Sequence, residues 1–424
     1  MPIFGSFIGM KFIADFHIHS KYSRATSRDM DLENLDKWAK IKGIKVLGTG
    51  DFSHPEWFKS LKDKLEPAEP GLFKIKKQDN GTRFILTNEI SCIYSKNNRV
   101  RKIHVLLFAP SFEAVEKINV QLGWIGNLKS DGRPILGLDA KELAKIVLGV
   151  SEDCLVVPCH CLTPWFAIFG SKSGFDSIEE CFEDLSKYIY AMETGLSASP
   201  DMLWRMPDGR KTALISNSDA HSPRKIGREA NVFDTELSYQ SIVEAIKTKD
   251  PKKFLYTIEF FPEEGKYHFD GHRNCDVRLS PAETKKYNGI CPVCGKPLTV
   301  GVLNRVDALS DKEEGFEPEN AIPFKSLVPL IEIVADTLGM TVASKQVEKT
   351  YQSLIEEFGS EFEILLNASP EKLKSAAFPN IAEGILRVRE GKVNKEPGYD
   401  GVFGKIRIFD QGEGKKLLKQ KTLF

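Results

Sequence analysis

Seven strand-like segments between residues 11 and 221 each carry a metal-competent side chain at or near their C-terminal end, and this pattern constrains the fold most. The segments read KFIADFHIH, IKVLGTGDF, RFILTNEIS, RKIHVLLFA, CLVVPCHC, IYAMETG and ALISNSDAH, with helix-like stretches between several of them. Strands that alternate with helices predict an α/β fold with a mainly parallel sheet. The third and fourth segments are an exception, because the short polar link SKNNRV between them is typical of a hairpin or a local insertion.

The metal-competent side chains lie at or near the strand ends, with His104 as the weakest case because it lies nearer the start of its segment. In chain order they are His17 and His19, Asp51, Glu89, His104, His160, Glu193, and Asp219 with His221. In α/β barrels the active site lies where the strands end and is built from residues of several strands. Seven strands therefore predict a distorted (β/α)7 barrel. The competing interpretation is a set of buried histidines with hydrogen-bond partners beside ordinary strand-end acids.

Two of these pairs have an i, i+2 spacing. Residues i and i+2 of a strand point to the same face, so His17 and His19 project together and suit one divalent ion. Asp219 and His221 repeat the spacing in SNSDAHSP. His104 lies beside an apolar VLLF run and fits a core histidine as well as a ligand.

Histidine and carboxylate ligands suit Zn²⁺, Mn²⁺ or Fe²⁺, with Mg²⁺ as a further candidate, and so many ligands predict two or three divalent catalytic ions. Neighbouring ions about 3.5–4 Å apart are the usual clamp for phosphoester hydrolysis, in which a bound water loses its proton more easily. We predict that Glu89 bridges two ions and that His17, His19, Glu89 and Asp219 are catalytic. His54, in GDFSHP, fits a ligand or a loop histidine, and hydrolysis of C–N bonds is the competing chemistry.

A second cluster follows the strand-rich region. His272-x2-Cys275 precedes Cys291-x2-Cys294, which is the spacing of a zinc knuckle pair in which histidine replaces one cysteine. The pattern predicts one structural zinc ion in a closed four-ligand site, with His268 as the alternative fourth ligand. Reduced cysteines in a loop are the competing interpretation, and the basic residues around the cluster fit either DNA contacts or a solvated face.

Length and composition set broader limits. A chain of 424 residues predicts two or three domains, and its 59 basic and 59 acidic residues leave no net charge to attract nucleic acid in bulk. The chain has neither a signal-peptide pattern nor an apolar run of membrane-spanning length, and its cysteines lack extracellular spacing, so we predict a cytoplasmic protein. Sparse glutamine beside abundant Lys and Glu favours a thermophile. The predicted domains are 1–262, 263–317 and 318–410, followed by a tail at 411–424.

The HIH, GTGD and DAH motifs, together with Glu89 and His160, resemble the PHP (polymerase and histidinol phosphatase) family of metallo-phosphoesterases over roughly residues 10–260. This resemblance implies a distorted (β/α)7 barrel with about nine ligands. Carried over by position, the nine ligands are His17, His19, Asp51, Glu89, His104, His160, Glu193, Asp219 and His221. Phe52 follows Asp51 where many members of the family have a histidine.

The larger arrangement narrows the resemblance. A PHP barrel, then KYHFDGHRNC and CPVCGK, then a helical segment ending in GYDGVFGKIRIF is similar to the endonuclease Q family of DNA-repair enzymes. The resemblance implies cleavage of the phosphodiester 5′ to a deaminated base (uracil, hypoxanthine or xanthine) or an abasic site. The alternatives are a small-molecule phosphatase with the same barrel and a DNA-binding accessory protein with an inactive barrel.

Two further segments fit such an enzyme. The loop TPWFAIFGSKSGFDS mixes aromatic residues with glycines, and we predict that Gly170 and Ser171 contact a flipped base there; a plain surface loop is the competing interpretation. The terminal QKTLF is similar to a shortened peptide that binds the sliding clamp PCNA, with Gln420, Leu423 and Phe424 as anchors. A frayed lysine-rich tail is the alternative.

Overall fold

A computed structural model describes residues 9–78, 81–376 and 379–409 of the chain. The predicted clamp-binding residues Gln420, Leu423 and Phe424 lie outside these ranges. The strands are β1 (Met10–Asp15), β2 (Val46–Gly48), β3 (Leu65–Pro67), β4 (Phe73–Ile75), β5 (Arg83–Lys96), β6 (Arg99–Ala109), β7 (Ile135–Leu136), β8 (Leu155–Pro158), β9 (Ala191–Glu193), β10 (Ala213–Ile215), β11 (Ala230–Thr235), β12 (Phe254–Glu259), β13 (Asp270–His272), β14 (Val277–Leu279), β15 (Phe324–Ser326), β16 (Asn394–Glu396) and β17 (Lys405–Arg407).

Helices lie between most of these strands and fill the C-terminal third of the described chain. They are α1 (Leu32–Lys42), α2 (Pro55–Lys64), α3 (Phe112–Ile125), α4 (Ala140–Val150), α5 (Ile178–Phe182), α6 (Pro200–Trp204), α7 (Pro207–Lys211), α8 (Tyr239–Thr248), α9 (Pro281–Lys286), α10 (Val302–Leu309), α11 (Leu330–Leu338), α12 (Lys345–Phe358), α13 (Pro370–Ala376) and α14 (Pro379–Arg389). In α1, Asp31 caps the first turn by accepting from the Asn34 backbone N–H at 3.0 Å, and Gly43 ends the helix at φ +86°. No helix of the described ranges is long and apolar enough to cross a membrane.

The predicted α/β fold is confirmed, but the sheet is mixed rather than mainly parallel. The pairs β1–β2, β2–β5, β9–β10 and β12–β15 are parallel, whereas β5–β6, β6–β8, β1–β11 and β11–β12 are antiparallel. Strands β9 and β10 form a sheet of their own, so the strands of the described residues do not make one closed sheet. Closure into a seven-stranded barrel therefore stays a prediction.

All seven predicted strand segments contain a strand, and the third and fourth form the expected hairpin. In β5 and β6 the register runs from Leu86 opposite Ala109 to Lys96 opposite Arg99. The turn residues Asn97 and Asn98 have φ of +54° and +57°, the left-handed conformation that a two-residue hairpin of this twist requires and that asparagine tolerates. This long hairpin carries two of the predicted ligands.

The C-terminal helices share one hydrophobic core with the strand-rich part of the chain. Strand β15 adds to the main sheet beside β12, so the chain returns to this sheet after the cysteine-containing segment. Behind it, a buried ion pair joins Lys42 of α1 to Glu361, with Nζ and Oε2 2.7 Å apart, and Tyr351 of α12 donates to the same carboxylate at 2.7 Å. The predicted boundaries at residues 262, 317 and 410 stay predictions.

Candidate metal centre

The segments HIH and DAH meet where the chain leaves β1 and β10. Ile18 forms a parallel bridge with Ala220, and the His19 backbone N–H donates to the Ala220 carbonyl at 3.0 Å. This bridge keeps the backbone extended beyond β1, so His17 and His19 point the same way and their ring centroids are 5.4 Å apart. The i, i+2 spacing thus places both rings beside Asp219.

Four buried or partly buried side chains form the centre of the site: His17, His19, Glu89 and Asp219. Each offers one ligand atom, and these atoms all lie within 4.8 Å of one another. His19 Nε2 is 3.1 Å from both Glu89 Oε2 and Asp219 Oδ1, and His17 Nε2 is 3.5 Å from Glu89 Oε2. Only Asp219 is substantially open to solvent, with a side chain that is 27% exposed.

Glu89 also belongs to a second group, with His104 and His160. Its other oxygen, Oε1, lies 2.6 Å from His104 Nδ1 and 3.4 Å from His160 Nε2. The two oxygens of Glu89 thus face two different ligand groups. A carboxylate in this position could bridge two ions. The segment that carries His160 is joined directly to His104, because the Cys159 backbone N–H donates to the His104 carbonyl at 3.0 Å.

Glu193 and Asp51 lie behind the two central histidines. Glu193 accepts from His17 Nδ1 at 3.0 Å and from the His160 backbone N–H at 2.9 Å. Asp51 accepts from His19 Nδ1 at 3.1 Å, and its other oxygen accepts from the Ser20 backbone N–H at 2.6 Å. A carboxylate on one imidazole nitrogen fixes the ring so that the other nitrogen faces the ion. The geometry favours this orienting role for both acids, and their assignment as ligands stays a prediction.

The remaining predicted histidines differ in position. His221 lies with its ring centroid 4.5 Å from that of His19, and its Nδ1 is 3.0 Å from the Asp219 carbonyl oxygen, but among the described residues it joins no ligand group. His54 is buried at the start of α2, where its ring stacks on that of Tyr22 with centroids 4.4 Å apart, and it too joins none of the ligand groups among the described residues.

Two residues at this centre carried no recognised sequence signal. Cys159 is fully buried and forms a third group with His17 and Glu193, so the candidate ligands at this centre include a thiol beside the histidines and carboxylates. Arg133 points its guanidinium into the centre, where Nη1 donates to Glu89 Oε2 at 3.1 Å. For Cys159 the available signal was its place directly before the predicted ligand His160 in PCH. Arg133 lies in a loop, and no sequence periodicity connects that loop to the site.

Burial and charge determine the protonation of the centre. Burial opposes protonation of His17 and His19, yet the surrounding carboxylates raise the pKa of each imidazole well above its ordinary value. For Glu89 burial opposes ionisation, while the neighbouring imidazoles and the Arg133 guanidinium hold its pKa well below the usual range. Without a metal ion, protonation of the imidazoles therefore offsets the charge of the carboxylates. A divalent cation would take over this role from the protons.

Orphaned atoms at the centre test whether cations fit. His17 Nε2 and Glu89 Oε1 are buried, and although Glu89 Oε2 and His104 Nδ1 lie beside them at 3.5 and 2.6 Å, neither makes a well-aligned hydrogen bond among the described residues. Buried polar atoms are rarely left without a partner, since each carries a desolvation penalty. Convergent imidazole and carboxylate atoms with such vacant valences fit divalent ions of the zinc and manganese type.

The cysteine-containing segment forms a separate four-residue group. His272, Cys275, Cys291 and Cys294 offer ligand atoms within 4.8 Å of one another, with Cys294 Sγ 3.6 Å from His272 Nδ1. The alternative ligand His268 instead contacts the Ser197 carbonyl oxygen at 3.3 Å through Nδ1 and is not in the group. The geometry favours His272, and the zinc ion itself stays a prediction.

The loop predicted to contact a base begins at the metal centre and ends at a cavity. Thr163 Oγ1 lies 3.2 Å from His160 Nδ1, and the Phe166 carbonyl accepts from the His104 backbone N–H at 3.0 Å. Gly170 and Ser171 line a cavity of about 440 Å³ further along the loop. A Cβ on Gly170 would lie 2.6 Å from the Thr163 carbonyl oxygen, so the close fold of this loop requires glycine.

The whole architecture matches a solved structure. The lesion-specific endonuclease PfuEndoQ from Pyrococcus furiosus is similar to this chain with a TM-score of 0.84 and 32% sequence identity, over 97% of both chains. The chain belongs to the endonuclease Q family. A second endonuclease Q structure, a complex with a 27-mer duplex substrate that has an abasic lesion at the active site, is similar with a TM-score of 0.83, 32% identity, and coverage of 95% of this chain and 98% of that one.

Further matches cover parts of this endonuclease Q family member. Residues 208–251 match a family described as PHP-associated, and residues 329–392 match a family described as the MJ0043 C-terminal domain. An uncharacterized protein of Methanocaldococcus jannaschii is 34% identical over 311 residues, which are 70% of this chain and 38% of that protein. The chain thus spans little more than a third of the length of that relative.

Proposed function

We propose that the chain is a DNA-repair endonuclease that hydrolyses the phosphodiester 5′ to deaminated bases or abasic sites with water activated by two or three divalent ions. The observation that supports it best is the match over nearly the full length to an endonuclease Q whose active site holds an abasic lesion in duplex DNA. The buried histidine and carboxylate cluster supplies the chemistry that such a reaction needs.

His17, His19, Glu89 and Asp219 would hold one ion, and Glu89 with His104 and His160 a second. Such ions, when bound, supply Lewis acidity toward a phosphoester and an activated water. Glu193 and Asp51 keep the Nε2 atoms of His17 and His19 directed at the centre. Asp219, the most open of the central group, is the acid best placed to meet the substrate.

Arg133 is suited to the scissile phosphate. Its Nη1 is held by Glu89 at 3.1 Å, while the guanidinium has five N–H donors in a planar fork that matches phosphate oxygens. The side chain is 27% exposed, so part of this fork reaches solvent above the cluster. We assign it the role of binding a non-bridging phosphate oxygen and offsetting charge that develops during hydrolysis.

Base recognition belongs to the loop that continues from His160. An enzyme that inspects a base takes it out of the stack, at a cost that is lowest for damaged or mispaired bases. Gly170 and Ser171 line the cavity at the far end of this loop, and we assign them contacts to a flipped uracil, hypoxanthine or xanthine. An abasic site would leave the cavity empty and rely on backbone contacts alone.

Nicking assays test the proposal. Duplexes with a single uracil or abasic site are incubated with the protein and Mg²⁺ or Mn²⁺, and a simple phosphate monoester is assayed in parallel. We expect a nick 5′ to the lesion that His19→Ala and Glu89→Gln abolish. Glu113→Gln, the same change on an exposed face of α3, should leave nicking intact. Turnover of the monoester alone would support a small-molecule phosphatase, and DNA binding without any reaction would support an accessory protein.

The cysteine group and the tail complete the proposal. We propose that one structural zinc ion is bound by His272, Cys275, Cys291 and Cys294. The metal count per chain should then exceed the number of catalytic ions by one. Cys294→Ser should lower the zinc count by one.

We also propose that Gln420, Leu423 and Phe424 bind the sliding clamp PCNA. A pull-down with the full chain and with a chain that lacks residues 420–424 tests this.

A further inference from the structure

The turn that carries Asp219 is held in an unusual backbone conformation. Asp219 has a φ of +46°, a left-handed region that aspartate enters more easily than most residues but that still costs free energy unless the surroundings fix it. Its carboxylate nevertheless lies at the metal centre, where Oδ1 is 3.1 Å from His19 Nε2. The backbone of this turn must therefore be fixed by contacts of its own.

Asp15 fixes the N-terminal side of the turn. It ends β1, is fully buried, and accepts from the Ser218 backbone N–H through Oδ1 at 3.0 Å. Its other oxygen, Oδ2, accepts from the Gly227 backbone N–H at 2.8 Å. One carboxylate thus ties the turn to the segment that precedes β11, and the next residue of that segment is Arg228.

Arg228 fixes the carbonyl side of the turn. Its Nε–H donates to the Ser218 carbonyl at 2.8 Å, and Nη2 donates to the Asp219 carbonyl at a longer 3.4 Å. Nε and Nη2 share one edge of the planar guanidinium, so a single side chain spans two successive carbonyls. The Asp219 carbonyl oxygen also lies 3.0 Å from His221 Nδ1, so the arginine and the histidine meet at the same acceptor.

We propose that Arg228 is a positioning residue of the metal centre, which holds the Ser218 and Asp219 carbonyls and thereby keeps the Asp219 carboxylate directed at the centre. Both of its hydrogen bonds go to backbone oxygens, so Arg228 acts through Asp219 and not on a metal ion. The inference rests on the proposed function, in which Asp219 helps to hold an ion and meets the substrate.

The charge of Arg228 has a second set of neighbours. Burial raises the pKa of Glu264 to about 8, the nearby Glu332 acts in the same direction, and Arg228 opposes both effects. Burial likewise raises the pKa of Glu332, while Lys42 and Arg228 lower it. The charge of Arg228 and the geometry of its fork must therefore be tested separately, and Arg228→Lys keeps the charge while it removes the planar fork.

Calorimetric titration of Mn²⁺ into the full chain tests the proposal without DNA. For Arg228→Met we expect the Mn²⁺ affinity to fall roughly 10- to 100-fold, the usual effect of losing a group that orients a metal ligand. Arg228→Lys should lose nearly as much, because an ammonium group has no planar edge to span both carbonyls. Arg224→Met is the matched control and should bind Mn²⁺ like the wild type, because Arg224 pairs through Nη1 with Glu348 of α12 at 2.7 Å.

A double-mutant cycle with Asp219→Ala shows whether Arg228 acts through Asp219. Once the carboxylate is absent, Arg228→Met should change the Mn²⁺ affinity by less than about twofold, since the effects of coupled residues do not add. If Arg228→Met does not fold, Arg228→Lys takes its place in the cycle.

Three results would overturn the positioning role: additive losses in the cycle, wild-type Mn²⁺ affinity in Arg228→Lys, or a loss confined to duplex binding in EDTA. None of them would affect the endonuclease proposal. Absence of nicking by the wild-type protein on uracil and abasic duplexes would overturn the proposed function instead, and the Mn²⁺ affinities would still decide the role of Arg228.

Discussion

Gly132 lies where the loop before β7 presses against the metal centre, and we expect that no side chain can replace it. A Cβ built on Gly132 falls well inside 3.0 Å of both Asp51 Oδ2 and Ser23 Oγ. Neither atom can retreat freely, because Asp51 Oδ2 already accepts from the Ser20 backbone N–H at 2.6 Å and from Ser23 Oγ at 2.9 Å. Gly132→Ala must therefore move Asp51 away from His19 or move Arg133 away from Glu89.

The size of the effect follows from these two movements. Overpacking at a buried site costs about 1–3 kcal/mol of the free energy of unfolding, which should lower Tm by a few degrees. Loss of the carboxylate that orients a metal-bound histidine typically lowers metal affinity or activity by about 10- to 100-fold. We expect Gly132→Ala to show both changes. The loss of Mn²⁺ affinity should be larger than partial unfolding of the protein would cause.

Calorimetric titration of Mn²⁺, thermal unfolding and uracil-duplex nicking measure the three quantities. Gly137→Ala is the matched control, because a Cβ on Gly137 meets nothing within 4 Å, and it should leave all three unchanged. If Gly132→Ala binds Mn²⁺ and nicks DNA like the wild type, the close packing of loop 131–133 on Asp51 does not organise the centre, and the reasoning fails.

Three further outcomes follow from the same geometry. Arg133→Gln should lower nicking by about 10²- to 10³-fold on uracil and abasic duplexes alike without changing the metal count, and Arg133→Lys should restore part of the rate; loss of bound metal would instead indicate a structural role. Because the surrounding carboxylates raise the pKa values of His17 and His19 in the protein without metal, a metal ion competes with protons for both imidazoles. Mn²⁺ affinity should therefore rise with pH below those pKa values, by up to about tenfold per released proton and pH unit. An affinity that does not change with pH in calorimetry would contradict this expectation. Lys42→Met, which leaves the buried Glu361 without its countercharge, should cost about 3–5 kcal/mol in chemical unfolding, whereas a loss below 1 kcal/mol would show that the pair is solvated.

Local patterns in the sequence predicted most elements of the strand-rich part. Alternation of apolar segments and helical periodicity identified all seven strands near which the predicted ligands lie, because each strand and each helix repeats its own short period. Pairing was harder to predict. The antiparallel contacts of β6 with β8 and of β11 with β1 join segments far apart in sequence, and β15 returns to the sheet after the cysteine-containing segment. No local pattern records which distant edge a strand will meet.

The sequence by itself determined which side chains could do chemistry: HIH, DAH, Glu89 and the four zinc-type residues are all present at spacings that physical chemistry can interpret. Only the tertiary structure decided how they divide their roles. It placed Glu193 and Asp51 behind His17 and His19, and it brought Cys159 and Arg133 to the centre. The physical reason is that a ligand role depends on which atoms remain unpaired after folding, and hydrogen bonds between distant segments determine that.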